Sequence, residues 1–289
     1  MISIIICSRE LGITPQLSAN IAATIGCEYE LIVIDNSENK YSIFQAYNNG
    51  IGQSKSEIVC FIHDDILFHS NDWGTKLIEI FNSDSKIGLV GVAGSKAKTK
   101  APSGWWNSAH ELKQVNIIQH IETGEVERWE YGLENSLLAE VVAVDGVFMT
   151  IRKDRDISFD TSLKGFHNYD LNISLEYKIK GYKVMVTKAI DIEHFSGGNI
   201  NKTWYQSTQK FHNKYKHYLP LVTNDLDNNF DLQQQEFNNG VKFIYDSLNF
   251  GFNLNIISKW FWLLAIKPTD KTHKKIAKRL IRNIIKRNN

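Results

Sequence analysis

IVCFIHDDILF, Ile58 to Phe68, decides how the rest of the chain is read. Ile58, Val59, Cys60, Phe61 and Ile62 form an unbroken apolar run, the pattern of a strand buried on both faces inside a parallel sheet. The run stops abruptly at His63, Asp64 and Asp65. Two adjacent carboxylates at the end of a buried strand repel each other unless something positive sits beside them. In open α/β sheets, ligands bind beyond the carboxyl ends of the strands. The functional reading is a divalent cation on Asp65, with Asp64 beside it, carrying a phosphate-bearing ligand. The plain reading is a solvated turn after a strand.

Working outward, two more apolar runs end in polar residues. Ile2 to Cys7 leads into Ser8, Arg9 and Glu10, and Glu30 to Asp35 reads as a second buried strand ending in Asp35-Asn36-Ser37. Helical patterns at Thr14 to Ile25, Ser42 to Ile51 and Trp73 to Phe81 separate these strands from each other and from Ile87 to Val92. Strand alternating with helix in this way predicts a doubly wound, mostly parallel sheet. It places Arg9, Asp35 and Asp65 along one edge of that sheet.

Downstream, Gly94 to Glu140 is less regular. It holds Gly104-Trp105-Trp106 and a hairpin around Glu122-Thr123-Gly124. The paired tryptophans are either core or a platform for the apolar face of a sugar. Val141 to Arg152 returns to strand, and Asp145-Gly146 interrupts it, which suggests a bulge or close approach to a ligand. Asp170 to Lys180 fits a helix with Leu171, Leu175 and Ile179 as its buried stripe; Gly181 ends it, and Tyr182 to Val186 is another strand. Asp170 in the first turn either favours the helix dipole or acts as a general base. His194, in IEHFSGG, is either a satisfied loop histidine or a metal ligand.

The 289 residues suffice for one large domain with an appendage, and a hydrophobic fraction of 43% suits a soluble globular protein. A net charge of +1 gives no reason to expect nucleic acid as a partner. Met1 leads straight into a strand-like run without a basic leader, and no apolar run reaches the roughly 20 residues that span a bilayer. Cys7, Cys27 and Cys60 are unclustered, as in a reduced, cytoplasmic protein with neither disulfides nor a zinc site.

These pieces, in this order, resemble the GT-A fold glycosyltransferases, in particular family 2. The resemblance covers about Met1 to Pro220, so residues 1–220 are expected to form the catalytic domain and 221–289 a helical extension. ISIIICSR resembles the opening strand and nucleotide loop, LIVIDNS the strand whose terminal Asp35 contacts the nucleoside, and IVCFIHDDI the strand bearing the Asp-x-Asp motif. GFHNYDLNISLEYKIKGYKVMV resembles the acceptor-side segment that supplies the base, here Asp170, and IEHFSGG carries a downstream histidine that completes the metal sphere. Three positions depart from the pattern. His63 stands where the first Asp of Asp-x-Asp belongs, Tyr169 replaces the Glu before the base, and Asn172 replaces another acid often found two residues after it.

What the resemblance implies is an inverting transfer of a sugar from a nucleotide-diphosphate donor, UDP-linked in the family-typical case. Mn2+ or Mg2+ on Asp65 and His194 would stabilise the diphosphate leaving group while the anomeric carbon becomes oxocarbenium-like. Asp170 would take the proton of an acceptor hydroxyl. Ser8, Arg9, Glu10, Asp35, Asp64 and Gly146 would hold the donor, and Trp105, Trp106 and His167 a glycan or lipid-linked acceptor, in polysaccharide or lipopolysaccharide assembly. The competing class is a catalytically silent module of the same fold that binds a nucleotide-sugar or glycan.

The tail changes character. Asn224 to Asn239 is polar and predicts a linker; Val241 to Ile266 is aromatic-rich and helical; Lys271 to Arg287 is an amphipathic basic helix. Ile276, Leu280, Ile281, Ile284 and Ile285 share one face. Lys267 to Asn289 carries a net +8, leaving −7 for the rest. Such a helix suits an anionic membrane surface on the cytoplasmic side, with Trp260, Phe261 and Trp262 at the headgroups, or it packs on the catalytic domain or a second copy in a homo-oligomer.

Overall fold

The structure is a computed structural model and describes residues 1–198, 200–251 and 256–288, with side chains as far as residue 283. Strand and helix alternate through the first third: β1 (Ile2–Ser8), α1 (Pro15–Thr24), β2 (Tyr29–Asp35), α2 (Ile43–Gln53), β3 (Ile58–Ile62), the short β4 (Ile66–Phe68), α3 (Trp73–Ser83) and β5 (Ile87–Gly91). Local chemistry sets the helix starts. The Thr14 hydroxyl caps α1 ahead of Pro15, and Ser42 with Gln45 forms a reciprocal capping box on α2. The middle of the chain is strand: β6 (Ala93–Ser95), β7 (Ala97–Lys98), the hairpin β8 (Lys113–His120) and β9 (Val126–Tyr131), β10 (Leu138–Val141), β11 (Ala143–Val144) and β12 (Phe148–Arg152). There follow α4 (Tyr169–Ile179), β13 (Lys183–Thr187), β14 (Ile192–His194), α5 (Lys202–Tyr215), β15 (Leu221–Val222), α6 (Leu232–Asn249), α7 (Ile256–Ile266) and α8 (Thr272–Asn288).

The main sheet has the order β10-β13-β5-β12-β3-β1-β2. β2, β1 and β3 run parallel, as do β5 and β13, while β12 and β10 run against their neighbours. The sheet is therefore mixed but mostly parallel. β3 lies inside it, between β1 and β12, and Val59 to Ile62 are fully buried as their apolar run requires. β2 corrects an expectation. It is the outermost strand, with no neighbour on its far side, so Tyr29 to Val33 are only half-buried.

A second sheet, β11-β6-β8-β14-β4 with β9 alongside β8, matters most for the site. β4 continues directly from the His63-Asp64-Asp65 turn and pairs antiparallel with β14, so Ile66 faces His194 and the Phe195 N–H donates to the Asp65 carbonyl. Val141 to Arg152 is three short strands, not one, because β11 leaves the main sheet to pair with β6.

Two further expectations are corrected, and the packing of the tail is seen in part. Ile179 is exposed, because α4 is enclosed along its first seven residues and emerges at its end. The polar stretch Asn224 to Asn239 is only half linker. From Leu232 it is helix α6, whose Gln235, Glu236 and Asn239 are buried against residues 99–109. Phe237, Ile244, Leu248, Ile256, Leu263 and Ile276 form a separate small core, so the apolar stripe of α8 begins by packing on its own chain. Ile281 is exposed, and the side chains of Ile284, Ile285, Lys286 and Arg287 lie outside the described residues.

Candidate active site

Register fixes where the strand ends meet. Ser8 lies opposite Asp35, and Ile6 opposite Ile62, so the turns after β1, β2 and β3 open on one edge of the sheet. The buried Ser8 hydroxyl is 2.9 Å from the Gly12 carbonyl and 3.3 Å from Asp64 Oδ2, and it accepts the Glu10 N–H. Asp35 is exposed; Ser37 donates to it from both its backbone N–H and its hydroxyl, which lowers its pKa. Arg9 and Glu10 are also exposed.

Beside this edge, His63, Asp65 and His194 present ligand atoms that all lie within 4.8 Å of one another. Asp65 Oδ1 is 3.5 Å from His194 Nε2 and 3.8 Å from His63 Nδ1. The hydrogen-bond network settles the His194 tautomer. Gln119 uses its amide nitrogen on the carbonyls of His120 and Ser196, so its oxygen is the acceptor that faces His194 Nδ1 at 3.0 Å. Nδ1 therefore carries the proton and Nε2 a lone pair. That Nε2 is buried and has no hydrogen-bond partner among the described residues. A bare lone pair aimed at a carboxylate is unfavourable unless a cation lies between them. Burial raises the Asp65 pKa, and protonated His194 and His63 together with Ser196 outweigh it and hold the carboxyl well below the usual carboxylate range; with Nε2 bare, that positive charge has to come from a bound cation. Two imidazoles and a carboxylate fit a divalent transition ion.

The other wall of the site is the start of α4. Asn168 caps it in the left-handed region, φ +63°, and fastens its amide to the Ser207 and Thr208 hydroxyls of α5. Tyr169 and Asp170 follow, both buried. Burial and the nearby Asp145 carboxylate push the Asp170 pKa up to about 7, against backbone N–H groups and the Lys98 ammonium, which favour ionisation. Lys98 is itself buried, with Nζ 2.7 Å from both Ser103 Oγ and His212 Nε2; burial lowers its pKa to about 7, opposed by Glu236 and Asp170.

The sequence pattern of a glycosyltransferase-like family matches residues 3–222. The chain belongs to that family. It is a glycosyltransferase, and its fold is GT-A. The structure of GalNAc-T7 with UDP, GalNAc and Mn2+ is similar, with a TM-score of 0.51 at 11% identity over 98% of this chain and 57% of that one. Staphylococcus aureus TarS 1–349 in complex with UDP-GlcNAc gives 0.43 at 14% identity over 84% and 80%, and A197 from STIV gives 0.40 at 12% over 68% and 86%. No curated protein matches the chain.

In this glycosyltransferase the residues expected at the acceptor side fall into two settings. Trp105 is buried and its indole N–H donates to Asp145 Oδ2 at 2.8 Å, so its polar edge serves the site rather than its face. Trp106 is half-buried, with its ring 5.5 Å from that of Trp204, and His167 Nε2 is 3.1 Å from Thr203 Oγ1. Both therefore adjoin the first turn of α5. Gly146 has a steric reason to be glycine: a Cβ there would lie 2.2 Å from Tyr169 Oη. The sequence reading missed His63 as a potential ligand, Asp145 as the charge between the two walls, and Gln119 and Lys98. Asp145 had one visible signal, its place beside Gly146 in an interrupted strand. The others become visible only when distant segments are brought together.

Proposed function

We propose that the chain is a metal-dependent, inverting glycosyltransferase that moves a sugar from a UDP-linked donor to a hydroxyl acceptor in polysaccharide or lipopolysaccharide assembly. The observation that carries it is the orphaned His194 Nε2 facing Asp65 beside His63. These three residues would hold Mn2+ or Mg2+, which supplies charge stabilisation for a departing diphosphate. The solved relative with the same fold contains UDP and Mn2+. Ser8, Arg9, Glu10, Asp35 and Asp64 line the strand ends where the base, ribose and diphosphate would lie. Asp170, with a pKa near the operating pH, takes the acceptor proton. Trp106 and His167 offer the acceptor a half-buried aromatic and imidazole surface beside α5.

Family membership favours the enzyme over the silent binding module. The test is calorimetric titration of UDP and UDP-sugars with and without Mn2+, followed by donor hydrolysis and transfer assays. Ion-dependent binding with turnover is expected. Donor binding that ignores the ion would overturn the metal assignment, and tight ion-dependent binding without turnover would restore the silent module.

Residues 221–289 brace the catalytic unit and, in the same proposal, offer a membrane-facing surface for a lipid-linked acceptor on the cytoplasmic side. Among the described residues no helix is long and apolar enough to cross a membrane. Phe261 and Ile257 on α7 and Ile281 on α8 are exposed, and α8 also carries Lys274, Lys275 and Lys278. The full chain is expected to sediment with anionic vesicles at low salt and not with zwitterionic ones. No difference between the two would make the extension purely structural.

A further inference from the structure

His63 and Tyr169 are two of the positions at which the chain departs from the GT-A family 2 motifs it resembles, and they touch: His63 Nε2 is 2.7 Å from Tyr169 Oη. One stands after a central strand and the other opens a helix more than 100 residues later, so no local rule couples them. Their meeting has been built from three sides. The His63 backbone N–H donates to the Val147 carbonyl, which fixes the residue against the segment 145–147. In the middle of that segment, Gly146 leaves the space that Tyr169 occupies. A Cβ at Gly146 would come within 2.2 Å of the hydroxyl and 2.5 Å of Cζ, so any larger residue would displace the ring. From the far side Tyr47 packs edge-on against Tyr169, with centroids 5.6 Å apart.

We propose that Tyr169 is the positioning residue of the metal centre: it accepts the Nε2–H of His63 and turns the Nδ1 lone pair toward Asp65, making His63 a ligand and the site selective for a transition ion over magnesium. The proposal rests on the metal reading above. Ligating imidazoles use the other ring nitrogen as a donor to a fixed acceptor, which sets the tautomer and orientation. Gln119 does this for His194, and in the proposal Tyr169 does it for His63, so that both imidazoles would present a lone pair to the same carboxylate oxygen. An all-oxygen site suits Mg2+, whereas two nitrogens and one oxygen suit Mn2+, Co2+ or their neighbours. A histidine at position 63 thus favours a transition ion, and Tyr169 makes that histidine usable as a ligand.

The test uses the full chain, with Mn2+, Mg2+ and Co2+ titrated separately by calorimetry and the visible absorption of bound Co2+ recorded. Tyr169→Phe keeps the ring and removes only the acceptor. It is expected to weaken Mn2+ by roughly 10- to 100-fold, to weaken Mg2+ less, and to change the Co2+ spectrum. His63→Asp is expected to move the preference toward Mg2+. Gly146→Ala should resemble Tyr169→Phe, and melting curves report whether each variant is folded. A Tyr169→Phe protein with the wild-type Mn2+/Mg2+ ratio and Co2+ spectrum would overturn the proposal. Loss of Mn2+ in Asp65→Ala would then still uphold the metal reading. If the wild type binds none of the three ions, both readings fall together.

Discussion

Asp65 sits at the mouth of the site with two imidazoles within 4 Å, while Asp170 lies buried near a second carboxylate. Burial raises the pKa of both. At Asp65, Ser196 and positive charge, from protonated imidazoles or a cation in place of their protons, reverse that effect; at Asp170 the Asp145 charge adds to it and carries the pKa to about 7. In the proposed mechanism the neighbours give one residue type two jobs, a standing charge for a cation and a proton acceptor poised near neutrality. The pairing of Tyr169 with His63 places the residue beside the base against the residue beside the cation, so the two carboxylates belong to one framework.

The contrast can be broken most severely at Asp65. Asp65→Ala is expected to abolish ion-dependent donor binding, a loss of roughly 100-fold or more. Undiminished calorimetric affinity for UDP-sugar with Mn2+ would end its role as a ligand. Asp170→Asn should leave donor affinity near normal and lower kcat by roughly 100-fold; wild-type turnover would remove Asp170 from the chemistry.

A pH series sharpens the difference. Asp170 must be ionised to act, so kcat should rise as a single proton is lost near pH 7 and flatten above it. The stability effect has the opposite direction. Because the folded pKa lies above the unfolded one, Asp170 costs nothing below about pH 4, and its cost grows until the folded pKa is passed. Asp170→Asn should therefore melt like the wild type near pH 4 and be more stable at pH 8, by on the order of a few kcal/mol. Equal melting temperatures at both pH values would mean that the carboxyl is not held in a low-dielectric setting.

The smallest effect is expected at the junction of the two walls. Trp105→Phe deletes the N–H that holds Asp145, a bond to a charged acceptor worth roughly 1.5–3 kcal/mol, together with the pyrrole half of the buried indole. Urea titration should show that loss, while Trp106→Phe, with no such bond among the described contacts, should not.

Much of this architecture is legible in the order of apolar runs. Ile2 to Cys7, Glu30 to Asp35 and Ile58 to Ile62 had to be strands, and the polar residues closing each run had to share an edge once those strands paired in parallel. Asp65, His194 and Asp170 could be singled out by residue type and position. Their states could not. The bare nitrogen of His194 depends on Gln119, in a different strand, and the raised pKa of Asp170 on Asp145 and on burial. The tail shows the same limit. Composition suggested a linker at Gln235, Glu236 and Asn239, because polar residues read as solvated unless the groups that satisfy them are known.

Those three side chains have a practical implication. Glu236 spans the backbone N–H groups of Lys100 and Ala101 with its two oxygens, Gln235 grips Asn107 and Ala109, and Asn239 donates to Thr99. The loop that displays Trp105 and Trp106 is thus upholstered from behind by a helix more than 120 residues further on. Anyone grafting this loop into another protein would have to transplant the matching face of α6 with it. The two segments are a single exchangeable cassette, although the sequence holds them far apart.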